Sequence, residues 1–273
     1  MSDIQSATAR DLSHARSLLF APGSDERKLA AALASEADLV VADLEDAVSP
    51  PDKPAARDVV TRVAPRVVRV NGADTEWFAD DLALVAELDL DVLMLPKATP
   101  DAVAALGREG PPVIAIVETA QGLRLAYETA CSPRVAALVL GAVDLGAALG
   151  LEPRADGLEI LHARSRVVVD SAAAGVRPPF DIVHLEIEDD AGLEQQAAFA
   201  RSLGFRGKVC IHPRQVPIVN RAFAPSEPEV AWARRVVEEF EASSEGVLAV
   251  NGEMIDLPVV ERARRILREG SEA

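Results

Sequence analysis

The sequence predicts a (β/α)₈ barrel, and three observations carry that prediction. Eight short apolar runs rich in β-branched residues alternate with amphipathic stretches, the pattern of repeated β-α units around a parallel sheet. The length, 273 residues, suits one barrel of roughly 250 residues with a short appendage. No GxGxxG follows the first run, which disfavours the rival doubly wound open sheet.

Taken in order, the runs are SLLFAP (17–22), DLVVADL (38–44), RVVRVN (66–71), DVLMLP (91–96), PVIAIVE (112–118), VAALVLG (135–141), DIVHLEI (181–187) and KVCIHP (208–213). Each is bounded by Gly, Pro or charged residues and is apolar almost throughout, as strands buried on both faces require. Helical patterns fill the gaps, over 25–36, 53–63, 77–88, 100–108, 122–130, 155–174 and 192–203. Beyond His212, residues 214–223 and 227–244 read as helices, GVLAVNGEMIDLP as a hairpin turning at Asn251-Gly252, and 258–268 as a last helix. The expected organisation is a tail over 1–15, a barrel over 16–223 and an extension or lid over 224–273.

Composition narrows the function. Lys and Arg number 28 against 44 Asp and Glu, a net charge of −16, which argues against nucleic acid and anionic membranes because both attract a positive field. Two cysteines without CxxC spacing support neither a disulfide framework nor a structural zinc site, and suit a reducing cytoplasm. The first residues are polar, with no signal-peptide core, and no run approaches the ~20 apolar residues of a membrane span.

The polar residues fall at strand ends, where barrel enzymes carry their chemistry. Glu118 and Asp144 end the fifth and sixth runs, and two carboxylates on adjacent strands can offer hard oxygens to Mg²⁺. The competing reading is capping, with Glu118 a helix N-terminal charge and Asp144 an N-cap. Asp43, Glu45 and Asp46 form an acidic cluster after the second run; Glu45 suits an outer partner of metal-bound water or a general base, and Asp46 also reads as a cap. Arg69 offers a planar fork to a substrate carboxylate or enolate oxygen, or pairs with Asp43 or Glu45. Lys97 can anchor an anion or pair with an acid. His212, before Pro213, can polarise a carbonyl or stand as a hydrogen-bonded core residue, and Cys210 reads as an inert buried thiol.

From Arg16 to Leu267 the chain resembles the HpcH/HpaI aldolase and citrate lyase beta-subunit superfamily, in particular its stand-alone citrate lyase beta-like members. The motifs that carry the resemblance are RSLLFAPGSDERK (16–28), DLEDAVSPPDKPAAR (43–57), VRVNG (68–72), LPKA (95–98), VETAQG (117–122), LGAVDL (140–145), CIHPRQ (210–215) and GEMIDLPVVERARRIL (252–267). The resemblance implies a (β/α)₈ barrel assembled as a homotrimer or hexamer, with Glu118 and Asp144 as ligands of Mg²⁺, or of Mn²⁺ in its place. It implies substrate contacts at Arg69, Glu118, Val143 and Asp144, with Val143 standing where relatives commonly carry an acid. CoA contacts are expected at Phe20, Ser24, Lys28, His212 and Pro213, and Asp256, Arg69 and Glu45 form the catalytic set, Asp256 reaching a neighbouring subunit's site. The implied reaction is retro-Claisen cleavage of a citramalyl-CoA, malyl-CoA or 3-hydroxy-3-methylglutaryl-CoA type thioester to an acyl-CoA and a 2-oxo acid. The alternatives are a CoA-independent 2-oxo acid aldolase, a subunit working on a thioester of acyl carrier protein, and a non-catalytic barrel that binds CoA or a carrier.

Overall fold

A computed structural model describes residues 12, 14–154, 156–243, 247–250 and 253–271. The Asn251-Gly252 turn and most of the tail over 1–15 lie outside the described residues. Contacts divide the chain into two compact units, Met1–Ala222 and Phe223–Ala273.

The first unit is a nearly closed barrel of eight parallel strands. The strands are β1 (Ser17–Pro22), β2 (Leu39–Asp43), β3 (Val67–Arg69), β4 (Val92–Leu95), β5 (Val113–Val117), β6 (Val135–Leu140), β7 (Arg177–Phe180) and β8 (Lys208–Cys210). Each pairs with its sequence neighbour and β8 returns to β1. Between β7 and β8 a bridge of Asp181 with Lys208 brings the sheet round, through the N–H of Asp181 to Gly207 O at 2.8 Å and the N–H of Val209 to Asp181 O at 3.1 Å.

The helices between the strands are α1 (Glu26–Leu33), α2 (Lys53–Val63), α3 (Phe78–Glu87), α4 (Pro100–Ala105), α5 (Ala120–Arg124), α6 (Ala126–Ala130), α7 (Ala142–Leu149), α8 (Leu161–Ala174) and α9 (Asp190–Leu203), followed by α10 (Val216–Phe223). Local chemistry sets their starts. Asp25, Thr99, Thr119 and Asp189 each accept a backbone N–H near the N-terminus of the helix that follows.

Two expected elements are corrected. The seventh strand is not DIVHLEI (181–187) but Arg177–Phe180, one residue upstream of it. Pro178 and Pro179 cannot donate to a ladder, and β7 meets β6 through only two registered pairs with an irregularity between them. The expected helix over 122–130 is two short helices, α5 and α6, meeting at Leu125, whose φ of −105° and ψ of 17° leave the helical region.

Strand alternation decides which side chains enter the barrel. Leu18, Val41, Val67, Met94, Ile114, Ile116, Val139 and Val209 form the interior core. Counting on by two along the same strands reaches Phe20, Asp43, Arg69, Glu118 and Gly141, so the period that buries the core delivers these residues to the interior at its C-terminal end.

The second unit holds α11 (Glu227–Ala242), a two-stranded antiparallel ladder of β9 (Leu248–Val250) with β10 (Glu253–Ile255), and α12 (Leu257–Ser271). Its own core includes Ala233, Val236, Ile255, Val260, Ala263 and Ile266. Among the described residues no helix is long and apolar enough to cross a membrane.

Candidate active site

The C-terminal end of the barrel gathers charge in a largely dehydrated place. Asp43 and Arg69 are register partners on β2 and β3 and form a two-pronged pair, Nε to Oδ1 and Nη2 to Oδ2, both at 2.6 Å. The remaining arm of Arg69, Nη1, lies 3.0 Å from Glu45 Oε2 and 3.3 Å from Asp46 Oδ2, and its guanidinium sits over the Phe20 ring at 4.9 Å. Burial alone would lower the Arg69 pKa, but the Asp43, Glu45 and Asp46 carboxylates raise it, so Arg69 remains a cation.

The loop carrying Glu45 is built around Asp43 and Lys53. Asp43 accepts the N–H groups of Glu45 at 2.9 Å and Ala47 at 3.1 Å. Lys53, buried, donates its ammonium to the carbonyls of Leu44 at 2.8 Å and Glu45 at 2.9 Å, and lies over the Trp77 ring at 4.8 Å. Lys53 was missed by reading strand ends, although it stands within the DLEDAVSPPDKPAAR motif; only the folded loop shows what it holds.

Glu118 follows β5 and is 4% exposed. Its Oε1 accepts the backbone N–H of Lys97 at 2.7 Å. Burial and then repulsion from Glu45 push its carboxyl up to about 8, with Asp144 adding to the repulsion and the Lys97 N–H opposing it. Gly141 directly follows β6, and a side chain there would meet Glu118: an added Cβ would fall 2.5 Å from Glu118 Cβ and 2.7 Å from its Oε2. Asp144 is exposed on the first turn of α7 and makes no cap; Gly141 occupies the N-cap position, and Thr119, not Glu118, caps α5. Capping therefore accounts for neither carboxylate.

Glu45 Oε1 accepts the Lys97 ammonium at 2.6 Å, while its buried Oε2 has no hydrogen-bond partner. Burial raises the Glu45 pKa against the pull of Arg69 and Lys97. Glu45 and Asp144 thus both bear on Glu118, and carboxylate oxygens of this kind suit a hard divalent cation. Among the described residues no group of three or more His, Cys, Asp or Glu side chains is placed to hold a metal ion by itself. A pair of carboxylates with water and ligand oxygens completing the shell is the arrangement Mg²⁺ tolerates best.

The other expected positions spread around the same unit. Phe20 lies inside beneath Arg69, whereas Ser24 and Lys28 are exposed after β1, Lys28 within 3.6 Å of Asp25. Val143 is exposed beside Asp144. His212 and Pro213 are exposed after β8, and His212 Nδ1 accepts the Arg214 N–H at 3.1 Å, capping the turn Pro213–Gln215. Asp256 belongs to the second unit, where its Oδ1 accepts the Val259 N–H at 3.2 Å at the start of α12. Cys210 is buried, and burial pushes its thiol up to about 12.

Residues 16–213 match the model of the HpcH/HpaI aldolase/citrate lyase family. The chain belongs to that family. It is 40% identical to a citrate lyase subunit beta-like protein of Mycobacterium tuberculosis over 93% of this chain and 95% of the relative. It is 37% identical to a (3S)-malyl-CoA thioesterase of Cereibacter sphaeroides over 92% and 93% of the two chains. Among solved structures, the CitE protein of M. tuberculosis in complex with magnesium, acetoacetate and coenzyme A superposes with a TM-score of 0.86 at 38% identity, covering 95% of this chain and 99% of that one.

Proposed function

We propose that the protein is a magnesium-dependent carbon–carbon lyase that reversibly cleaves a 3-hydroxyacyl-CoA to an acyl-CoA and an oxo acid, a 2-oxo acid from a citramalyl-CoA or malyl-CoA type substrate and a 3-oxo acid from 3-hydroxy-3-methylglutaryl-CoA. The observation that carries this reading is the pair Glu118, just after β5, and Asp144, on the first turn of α7 after β6, neither one a cap, in a chain so similar to one solved with magnesium, acetoacetate and coenzyme A. Glu118 and Asp144 would hold Mg²⁺, or Mn²⁺, which when bound supplies a Lewis acid and an orienting template for the oxo-acid oxygens.

The chain's own groups supply the rest. Arg69, fixed by Asp43 and ion-paired to Glu45, would present positive charge to the hydroxy-acid end, and Glu45 would exchange the hydroxyl proton. As that proton leaves, the carbon–carbon bond opens to an oxo acid and a thioester enolate, and Asp256 delivers the proton that converts the enolate to the acyl-CoA. In the reverse direction Asp256 removes a proton from the acyl-CoA methyl. Residues 224–273 serve as a lid in this scheme, with Asp256 entering the site of a neighbouring copy in a homotrimer or hexamer. Val143 lines the acyl pocket beside Asp144, while Phe20, Ser24, Lys28, His212 and Pro213 take the CoA side. We place the enzyme in the cytoplasm.

The relative named a malyl-CoA thioesterase supports a second reading, in which water takes the thioester and no carbon–carbon bond breaks. Chromatography of the products separates the two. With each CoA ester and Mg²⁺, the lyase yields an oxo acid and a shortened acyl-CoA, whereas the thioesterase yields the intact hydroxy acid and free CoA. Release of hydroxy acid alone from every ester would replace the first reading by the second.

A further inference from the structure

The geometry points to Lys97 as a substrate-binding residue: we infer that its ammonium receives the carboxylate of the oxo-acid ligand while its backbone amide holds Glu118 in place. The inference rests on the lyase reading above and adds a residue to it.

Lys97 stands out first by its backbone. Its φ is +48°, one of only two such values at non-glycine residues among the described residues. A side chain in that region is disfavoured, so the bonds around Lys97 must hold it there. The turn aims the Lys97 N–H at Glu118 Oε1, 2.7 Å away, and the same turn sends the side chain back to Glu45 Oε1, 2.6 Å away. One residue therefore ties together two of the crowded carboxylates.

The distribution of cations makes the second argument. Arg69 is 10% exposed at its side chain, and its three nitrogens already meet Asp43, Glu45 and Asp46. Lys97 is 41% exposed at its side chain, between buried Pro96 and Ala98, and its ammonium has one carboxylate partner among the described residues. An ammonium carries three donors, so Lys97 keeps donors for an arriving anion where Arg69 has committed its fork. A small carboxylate beside Glu118 and Asp144 would otherwise meet mainly negative charge.

Calorimetry with pyruvate in the presence of Mg²⁺, together with Mn²⁺ titration followed by electron paramagnetic resonance, tests the assignment on the full chain. The variants are Lys97→Gln, Lys97→Gly and Lys97→Arg. Lys97→Gly keeps the amide and relieves the backbone, so it separates the ammonium's role from that of the turn. The expected result is a loss of pyruvate affinity of about ten- to a hundred-fold in the Gln and Gly variants, with Mn²⁺ affinity kept in Lys97→Gly and pyruvate binding largely restored in Lys97→Arg. Unchanged pyruvate affinity in both the Gln and Gly variants, with Mn²⁺ still bound, would overturn the assignment and leave the lyase reading standing. A wild-type protein that binds neither Mn²⁺ nor pyruvate would overturn the lyase reading, and the assignment with it.

Discussion

Glu118 owes its place to the missing side chain of Gly141: a Cβ there would lie 2.5 Å from Glu118 Cβ. The φ of Gly141 is −90°, which any residue can adopt, so the requirement for glycine is one of space alone. Gly141→Ala must therefore push Glu118 aside while leaving the backbone unstrained. We expect it to weaken Mg²⁺ binding at least about ten-fold, with a stability loss of about 1–3 kcal/mol from overpacking. Metal titration and urea unfolding of the same variant measure the two effects separately.

The Glu118 carboxyl, raised to about 8, gives a pH dependence of definite sign. An acid with a raised folded-state pKa stabilises the fold fully below its ordinary value of 4.5, and the contribution is lost as pH rises through about 8. In EDTA the thermal transition should therefore fall as pH rises from about 4.5 to about 8 and level off above that. Metal binding runs the other way, since Mg²⁺ must displace the proton: affinity should climb towards pH 8 and then level off. Calorimetry in buffers of different ionisation enthalpy should detect the proton released on binding near neutral pH.

Most of the barrel was legible because its strands are buried on both faces and leave unbroken apolar runs. The seventh strand was not. Arg177-Pro-Pro-Phe reads as a chain breaker, while the adjacent DIVHLEI has the look of a strand, yet its Leu185 is 63% exposed and Ile187 39% exposed. The strand-end carboxylates could be found from sequence because position along a β-α repeat already places them on one rim. The fit of Gly141 beneath Glu118, the reach of Lys97 to two acids and the support of the Glu45 loop by Lys53 depend on register between strands distant in sequence. No local pattern encodes those.

The seam between β7 and β8 is held by a buried triad. Asp181 receives Lys208 Nζ at 2.8 Å and Arg164 Nε at 2.9 Å, and all three side chains are at most 2% exposed. Burial would raise the Asp181 carboxyl, but Lys208 and Arg164 outweigh it and hold the pKa below its ordinary value. Asp181→Ala strands two buried cations and should cost about 3–5 kcal/mol in urea unfolding, more than a lost surface ion pair. Replacing Lys208 by Met in the same protein should recover part of that loss.

The two cysteines should behave oppositely. Cys131 is exposed, whereas Cys210 is buried with its thiol pushed up to about 12. A thiol reagent at pH 8 should label Cys131 alone in the folded protein and both residues in denaturant. Rapid labelling of Cys210 in the folded protein would show that the β8 strand end is open to solvent.

The central claim is that Glu118 and Asp144 hold a metal on which carbon–carbon cleavage depends. Its most direct test follows oxo-acid release from citramalyl-CoA, malyl-CoA and 3-hydroxy-3-methylglutaryl-CoA by the wild type and by Glu118→Gln, each with Mg²⁺ and with EDTA. The wild type with Mg²⁺ should release oxo acid from at least one ester, with release abolished by EDTA and reduced at least about a thousand-fold in Glu118→Gln, the loss of roughly 4 kcal/mol expected when metal-borne charge stabilisation goes. Cleavage that continues undiminished in EDTA, or in Glu118→Gln, would contradict the claim.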